Sequence, residues 1–126
     1  MTVADTDVLI DYLNGVDPAF SLVRDEVDRG RLFTTVISRF ELLAGATGAK
    51  QQARARDLLR ALSALPLDAP GADHAAAIAR GLASRGQAIG TADTLIAAIV
   101  LTHGGVLLTR NRQHFGRVKD LRLVDL

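Results

Sequence analysis

Residues 91–109 read TADTLIAAIVLTHGGVLLT, a helical pattern that is followed directly by a strand pattern. The helix body at 95–101 is apolar almost all round, which predicts a helix that is buried on most of its sides. We expect Thr91 to cap this helix and His103 and Gly104 to end it. Residues 106–109 then form a continuous apolar run, as in parallel strands that are covered on both faces. Together the two patterns predict an α/β protein.

The rest of the chain repeats this alternation of strands and helices. Short β-rich runs predict extended segments at 2–4, 31–35, 65–67 and 121–124. Apolar spacing predicts helices at 8–13, 18–29, 38–45, 49–64 and 71–84, the second of them with Asp17 as its N-cap and Pro18 as its first residue. The alternation predicts a three-layer α/β fold with a central, mostly parallel sheet flanked by helices.

Length and composition limit the class of protein. A chain of 126 residues has room for one domain, which we place at 1–126. Its 48% hydrophobic and 23% charged residues are typical of a globular protein and exclude intrinsic disorder. The absence of cysteine excludes disulfides, thiolate metal sites and cysteine nucleophiles. With no membrane-length apolar run and no signal peptide, we expect a soluble, cytoplasmic protein without a membrane partner.

Several common kinds of site have no support in the sequence. The three histidines, His74, His103 and His114, lack the spacing of a zinc site, with His114 expected in a loop. No serine lies in a G-x-S-x-G turn, and no glycine-rich run has the spacing of a phosphate-binding loop. Most of the basic residues are arginine, which suits phosphate binding, although the base composition of a GC-rich genome explains the same bias.

Acidic residues interrupt apolar sequence at four places. Asp5 follows the first predicted strand, Asp7 begins the next helix, Glu41 lies among apolar residues, and Asp93 is in the first turn of the apolar helix. Carboxylates that converge in a fold repel one another unless a cation neutralises them, and hard divalent cations such as Mg²⁺ or Mn²⁺ prefer oxygen ligands. These four residues are therefore candidates for the ligands of a metal site. Asp11, one helical turn after Asp7, is expected on a solvated face.

Each of these acids also has a structural interpretation. Asp5 and Asp7 are suited to cap the first helix, and Asp93 complements the positive end of its helix dipole. Ser38 and Glu41 have the spacing of a capping box, in which Glu41 would bond back to Ser38. The two interpretations stay open at this point, and the apolar surroundings of three of the acids favour a site.

Four sequence motifs carry a resemblance to a known family, and it covers the whole chain. With these motifs the chain resembles the PIN-domain ribonucleases, specifically the VapC toxins of bacterial and archaeal toxin–antitoxin pairs. Each motif alone is weak, but all four occur in order and at matching spacing in a chain of matching length. The motifs are ADTDVLIDYL at 4–13, ISRFELLAG at 37–45, ADTLIAA at 92–98 and LTRNRQHF at 108–115.

The resemblance implies a fold, an activity and partners. It assigns Asp5, Glu41 and Asp93 to a catalytic, metal-binding acidic cluster, and it implies Mg²⁺- or Mn²⁺-dependent cleavage of RNA. It also implies a homodimer that is inhibited by a VapB-type antitoxin. Many PIN domains have a fourth acid near the position of Asn111 or His114, and neither residue is acidic in this chain.

Further residues are expected to support the cluster. Arg110 and Arg112 follow the last predicted apolar strand, where they are placed to hold RNA phosphates; a solvated loop is the alternative interpretation. The residues that we expect to orient ligands or water, or to act as a weak fourth ligand, are Thr6, Asp7, Thr109 and Asn111.

Two alternatives of other classes remain at this stage. A receiver-like signalling domain would use acids after the first strand for Mg²⁺ and phosphoryl chemistry, but it needs a lysine near the last strands, where only Lys119 is present. A PIN-fold module for RNA binding or protein interaction with weak or lost catalysis is the other, and Asn111 in place of an acid is its support.

Overall fold

The computed structural model describes residues 1–126, and one five-stranded parallel sheet forms its centre. The strands in chain order are β1 (Thr2–Ala4), β2 (Leu32–Thr35), β3 (Ser63–Leu65), β4 (Val106–Leu108) and β5 (Leu123–Val124). Their order across the sheet is β3-β2-β1-β4-β5, and every neighbouring pair is parallel. The short central strand β1 is paired on both sides, since Thr2 lies opposite Leu32 of β2 and Val106 of β4.

Helices cover both faces of the sheet. They are α1 (Thr6–Leu13), α2 (Ala19–Asp28), α3 (Val36–Gly45), α4 (Gly48–Arg60), α5 (Ala69–Ser84), α6 (Thr91–Thr102) and α7 (Arg112–Phe115). Because side chains alternate along a strand, Ala4 and Leu108 pack into one core with α1, α2 and α4, whereas Val3 and Leu107 pack into another with α5, α6 and α7. The predicted three-layer α/β fold is confirmed.

The helix predicted at 49–64 is too long at its carboxyl end. α4 ends at Arg60, and Ser63–Leu65 forms strand β3, which pairs with β2. The leucine spacing continues beyond the helix, but Leu62 packs into the first core and Leu65 into the second. Residues on one helix face could not reach opposite sides of the sheet, so strand pairing decides the local structure.

Three helix starts also differ from the sequence-based predictions. Pro18 is the N-cap residue of α2, and Asp17 instead accepts a hydrogen bond from Ser21 N at 3.0 Å. The N-cap of α6 is Gly90 at a φ of 92°, not Thr91, because the chain needs the left-handed conformation there. The N-cap of α3 is Thr35, three residues before Ser38.

The topology places a crevice beside β1. From β1 the chain crosses to β2 and β3 on one side, and it then returns to β4 on the other side. Such a reversal opens a crevice at the carboxyl ends of the two strands that flank it, where open α/β sheets bind their ligands. In addition, no helix combines the length and the apolar character that crossing a membrane requires.

Candidate active site

Asp5 lies in this crevice, directly after β1, as predicted. It is the N-cap residue of α1 and is only 5% exposed. Its Oδ1 accepts a hydrogen bond from Thr6 N at 2.8 Å, and its Oδ2 accepts one from Thr109 Oγ1 at 2.7 Å. Thr109 follows β4, so the carboxyl ends of the two adjacent strands fix this carboxylate from both sides.

Asp7 lies beside Asp5 and faces the segment after β4. Its Oδ2 accepts a hydrogen bond from Arg110 N at 3.2 Å and lies 3.5 Å from Thr109 Oγ1. Its Oδ1 is buried and has no hydrogen-bond partner, which is unusual for a buried carboxylate oxygen. Asp7 therefore does not cap α1, and we call Asp5, Asp7 and Thr109 the β1 group.

The β1 group holds two carboxylates that are difficult to ionise together. Burial and, to a lesser extent, the nearby Asp7 carboxylate raise the pKa of Asp5 to about 7, although hydrogen bonds from Thr109 and Thr6 oppose the rise. Burial also raises the pKa of Asp7, against the opposing effect of the Arg110 guanidinium. Binding of a cation lowers the free energy of such a site, because the cation stabilises the ionised carboxylates.

Glu41 is linked to Asp5 through Thr6, which forms a hydrogen bond with each of them. Thr6 Oγ1 donates a hydrogen bond to Glu41 Oε1 at 2.7 Å, while Thr6 N donates to Asp5. The capping-box interpretation of Glu41 is wrong, because the side chain of Thr35 caps α3 by accepting from Ser38 N at 3.0 Å. Glu41 is thus free of a capping role and is oriented by α1.

A second group of donors surrounds Asp93 in the first turn of α6. Asp93 Oδ2 accepts a hydrogen bond from Asn111 Nδ2 at 3.3 Å and lies 3.1 Å from His114 Nδ1. We call Asp93, Asn111 and His114 the α6 group. His114 was not predicted as a site residue: it lies on the short helix α7 and not in a loop. The signal in the sequence is Asn111, a good N-cap residue placed three positions before it.

The two arginines that were predicted to hold phosphates are both paired with carboxylates. Arg110 Nε lies 2.7 Å from Asp11 Oδ2, and Arg112 Nη1 lies 3.0 Å from Asp125 Oδ1. The expectation of a solvated face for Asp11 is wrong, since its side chain is 16% exposed and ion-paired. Its spacing of four residues from Asp7 places both acids on the side of α1 that faces Arg110.

The predicted acids therefore come to one end of the sheet, but in two groups. Thr109 joins the groups, because its hydroxyl also accepts a hydrogen bond from Asn111 N at 3.0 Å. No three acidic and histidine side chains lie close enough to hold one ion together in this arrangement. The donors nevertheless fit a hard divalent cation, because they are mainly carboxylate and hydroxyl oxygens and one buried oxygen, Asp7 Oδ1, is unpartnered.

Comparisons with known proteins show the family and the fold of the chain. The family model of the PIN domain matches residues 2–121. VapBC-1 from nontypeable Haemophilus influenzae, at 28% identity, superposes with a TM-score of 0.81 over 98% of this chain and 96% of that chain. VapBC2 from Rickettsia felis, bound to a DNA fragment from its promoter, gives 20% identity, a TM-score of 0.83, and coverage of 99% and 98%. No curated protein is similar enough in sequence to count as a relative.

Proposed function

The chain belongs to the PIN domain family, and from that premise we propose that it is a Mg²⁺- or Mn²⁺-dependent endoribonuclease, the toxin of a VapBC-type toxin–antitoxin pair. The observation that carries the proposal is the β1 group, in which the buried carboxylate of Asp5 and the half-buried carboxylate of Asp7 lie side by side, with the buried Oδ1 of Asp7 unpartnered. Such an arrangement lowers the stability of the fold, and it is usually found at functional sites.

The residues that would hold the cation are Asp5, Asp93 and Glu41, with Asp7 beside them. A divalent cation at such a site supplies Lewis-acid stabilisation of the charge that develops on a scissile phosphate. The protein's own contribution is orientation. Thr109 fixes Asp5 Oδ2, and Thr6 fixes Glu41 Oε1, both at 2.7 Å. Hydrogen bonds of this kind hold ligands in place and tune their affinity for metal.

Arg112 and Arg110 would then bind the RNA backbone to different degrees. The two arginine side chains are equally exposed, at 53%. Their partners differ, since the side chain of Asp125, which pairs with Arg112, is 92% exposed, whereas that of Asp11, which pairs with Arg110, is largely shielded. An exposed ion pair contributes little free energy, so a phosphate can replace Asp125 at Arg112. Arg110 is held by Asp11 and positions the loop that contacts Asp7.

We propose a VapB-type antitoxin as the protein partner. One of the neighbours in fold is a toxin–antitoxin complex from Klebsiella pneumoniae, at 21% identity and a TM-score of 0.80. In the present chain, a cavity of about 240 Å³ adjoins Glu41 and is partly apolar, so that a peptide bound there would contact Glu41. Its lining includes Ile10, Leu13, Leu42, Ala46, Arg54 and Ala55. The homodimer remains a prediction of the family resemblance, and the cytoplasmic location remains a prediction from the sequence.

A cleavage assay tests the proposed activity. The purified chain should cut RNA in the presence of Mg²⁺ and not after chelation, and Asp93→Asn should abolish cleavage while the far-UV spectrum and melting temperature persist, because the amide keeps the shape of the side chain. Asp73→Asn is the matched control, because Asp73 is an exposed acid on α5. Metal-dependent cleavage that survives in Asp93→Asn would contradict the assignment.

A module without catalysis is the second candidate, and Asn111 in place of an acid is the observation that favours it. Such a module would bind RNA or protein but would not cleave RNA at any metal concentration. The receiver-like alternative is wrong, because the chain belongs to the PIN family. The strand order of this chain, β3-β2-β1-β4-β5, also differs from the 2-1-3-4-5 order of receiver domains. Lys119, the lysine that this alternative would need, is exposed in the segment after α7.

A further inference from the structure

The α6 group contains an imidazole at the position where the resemblance leads one to expect a fourth acid. His114 Nδ1 lies 3.1 Å from Asp93 Oδ2, and the Asn111 side-chain amide lies 3.3 Å from the same oxygen. His114 and Asn111 thus both approach the same carboxylate oxygen of Asp93, beside the β1 group.

These separations fit ligands of a single cation. Two ligands at right angles, each about 2.1 Å from an octahedral ion, are roughly 3 Å apart. The spacing of His114 Nδ1 and Asp93 Oδ2 is close to that value, so both atoms can bind one ion with small side-chain rotations. Asn111 Oδ1 accepts a hydrogen bond from His114 N at 3.4 Å as the N-cap of α7, so the Asn111 amide orients Asp93 Oδ2 and leaves the metal contact to His114 and Asp93.

A purely structural role explains the pair less well. The His114 side chain is 40% exposed, and exposed ion pairs add little to stability. Helix α7 is anchored without it, since the neighbouring Phe115 is fully buried and Asn111 is the N-cap of the helix. The imidazole is therefore available for a ligand.

We propose that His114 Nδ1 and Asp93 Oδ2 bind the same divalent cation, and that this nitrogen ligand makes the site prefer Mn²⁺ to Mg²⁺. The inference rests on the proposed function, because it concerns the cation of that site. Mg²⁺ favours oxygen ligands only, whereas imidazole suits transition metals. When Nδ1 binds the ion, the ring proton resides on Nε2.

Electron spin-echo spectroscopy of the full chain with Mn²⁺ alone tests the inference. The spectrum should show modulation from a directly bound nitrogen, and selective ¹⁵N labelling of histidine should replace the ¹⁴N signal with a ¹⁵N signal. His114→Ala should remove the modulation and weaken Mn²⁺ binding by at least about tenfold, with a smaller effect on Mg²⁺. His74→Ala is the matched control, since His74 is exposed on α5.

A carboxylate at the same position provides the reverse test. His114→Asp should keep Mn²⁺ bound, remove the nitrogen signal and lower the ratio of Mn²⁺ to Mg²⁺ affinity measured by calorimetry. Bound Mn²⁺ without histidine modulation in the wild-type chain would overturn the inference, while RNA cleavage in Mg²⁺ would leave the proposed function intact. If neither ion binds and RNA is not cut, the proposed function fails as well.

Discussion

Among the acidic residues, the structure separates those that serve the fold from those that are available for chemistry. Asp17 and Asp68 bond to backbone N–H groups of their own helices. Asp7 and Glu41 instead receive hydrogen bonds from residues that are distant in sequence, Arg110 and Thr6. An acid that is held by another element and does not cap its own helix is better explained by a ligand than by local structure.

Glu41→Gln is the sharpest test of this distinction. Glutamine keeps the oxygen that accepts from Thr6 Oγ1 but removes the charge that a cation needs, so the metal-free melting temperature should persist and RNA cleavage should fall by at least about tenfold. Thermal unfolding and cleavage rates measure the two effects. Glu26→Gln removes a surface ion pair with Arg31 and should change neither by much.

Retained cleavage in Glu41→Gln would return this residue to a structural role. A fall in melting temperature of several degrees would lead to the same conclusion, since a cap or core contact would then have been lost.

Helices and strands were predicted best from the sequence where their burial leaves a pattern of apolar residues. The apolar runs of β4 and α6 and the strand–Asp5–helix start were all visible, because each is specified by residues within one element. The boundary between α4 and β3 was missed, because the helical spacing of leucines continues past the end of α4. Only the pairing of β3 with β2 shows where the helix ends. α7 was missed because a helix of four residues has no periodicity.

The same limit applies to the candidate site. Asp5, Glu41 and Asp93 could be selected as candidates because acids within apolar sequence are visible in the chain itself. The contact between His114 and Asp93 and the pair between Asp11 and Arg110 depend on how α7 and the end of β4 approach α6 and α1. No spacing within one element encodes those contacts.

The N-cap of helix α7 allows a test of how a fourth acid at the candidate site affects metal binding. Asn111→Asp should keep the α7 N-cap, because aspartate and asparagine cap equally well. It should lower the metal-free melting temperature, since the new carboxylate faces Asp93. It should also shift the curve of cleavage against Mg²⁺ concentration to lower values, because a fourth charge offsets the repulsion between ions. Calorimetry should show one tight Mn²⁺ site in the wild type.

Asn14→Asp, an exposed change at the end of α1, is the control and should leave that curve in place. Two equally tight Mn²⁺ sites in the wild type, or an unshifted curve in Asn111→Asp, would show that Asp7 or the RNA phosphate already supplies the missing charge.

At the scale of the whole molecule, the site exists because of the order of the strands. The chain places β1 between β2 and β4, so that Asp5, Thr109 and the start of α3 meet at one edge although they are far apart in sequence. Since β1 is paired on both sides and covered on both faces, the carboxylate that follows it is removed from water. The topology that brings the acids together is therefore also what makes them difficult to ionise.

This burial predicts an unusual dependence of stability on pH. The pKa of Asp5 is about 7 in the folded chain against 3.8 for an ordinary aspartate. Between these values the folded state binds more protons than the unfolded state, so the free energy of unfolding decreases as the pH rises and levels off above about 7. Asp7, whose pKa is raised in the same direction, adds to the decrease. From about pH 5 to about pH 8, Asp5 should remove on the order of 2–3 kcal/mol.

Thermal or urea unfolding in chelator at these two pH values measures the effect, and Asp5→Asn isolates it. The amide cannot ionise, so the variant should lose less stability than the wild type over this range and should be the more stable protein at the higher pH. Millimolar Mg²⁺ should reverse the order at that pH, because the cation stabilises the ionised carboxylate only in the wild type. Asp73→Asn should follow the wild type in every condition. A wild-type chain that loses no more stability than Asp5→Asn would mean that the folded chain holds Asp5 ionised without a cation. A wild-type chain that gains no stability from Mg²⁺ would mean that the cation does not bind there. In either case the physical case for metal binding at the β1 group would fail.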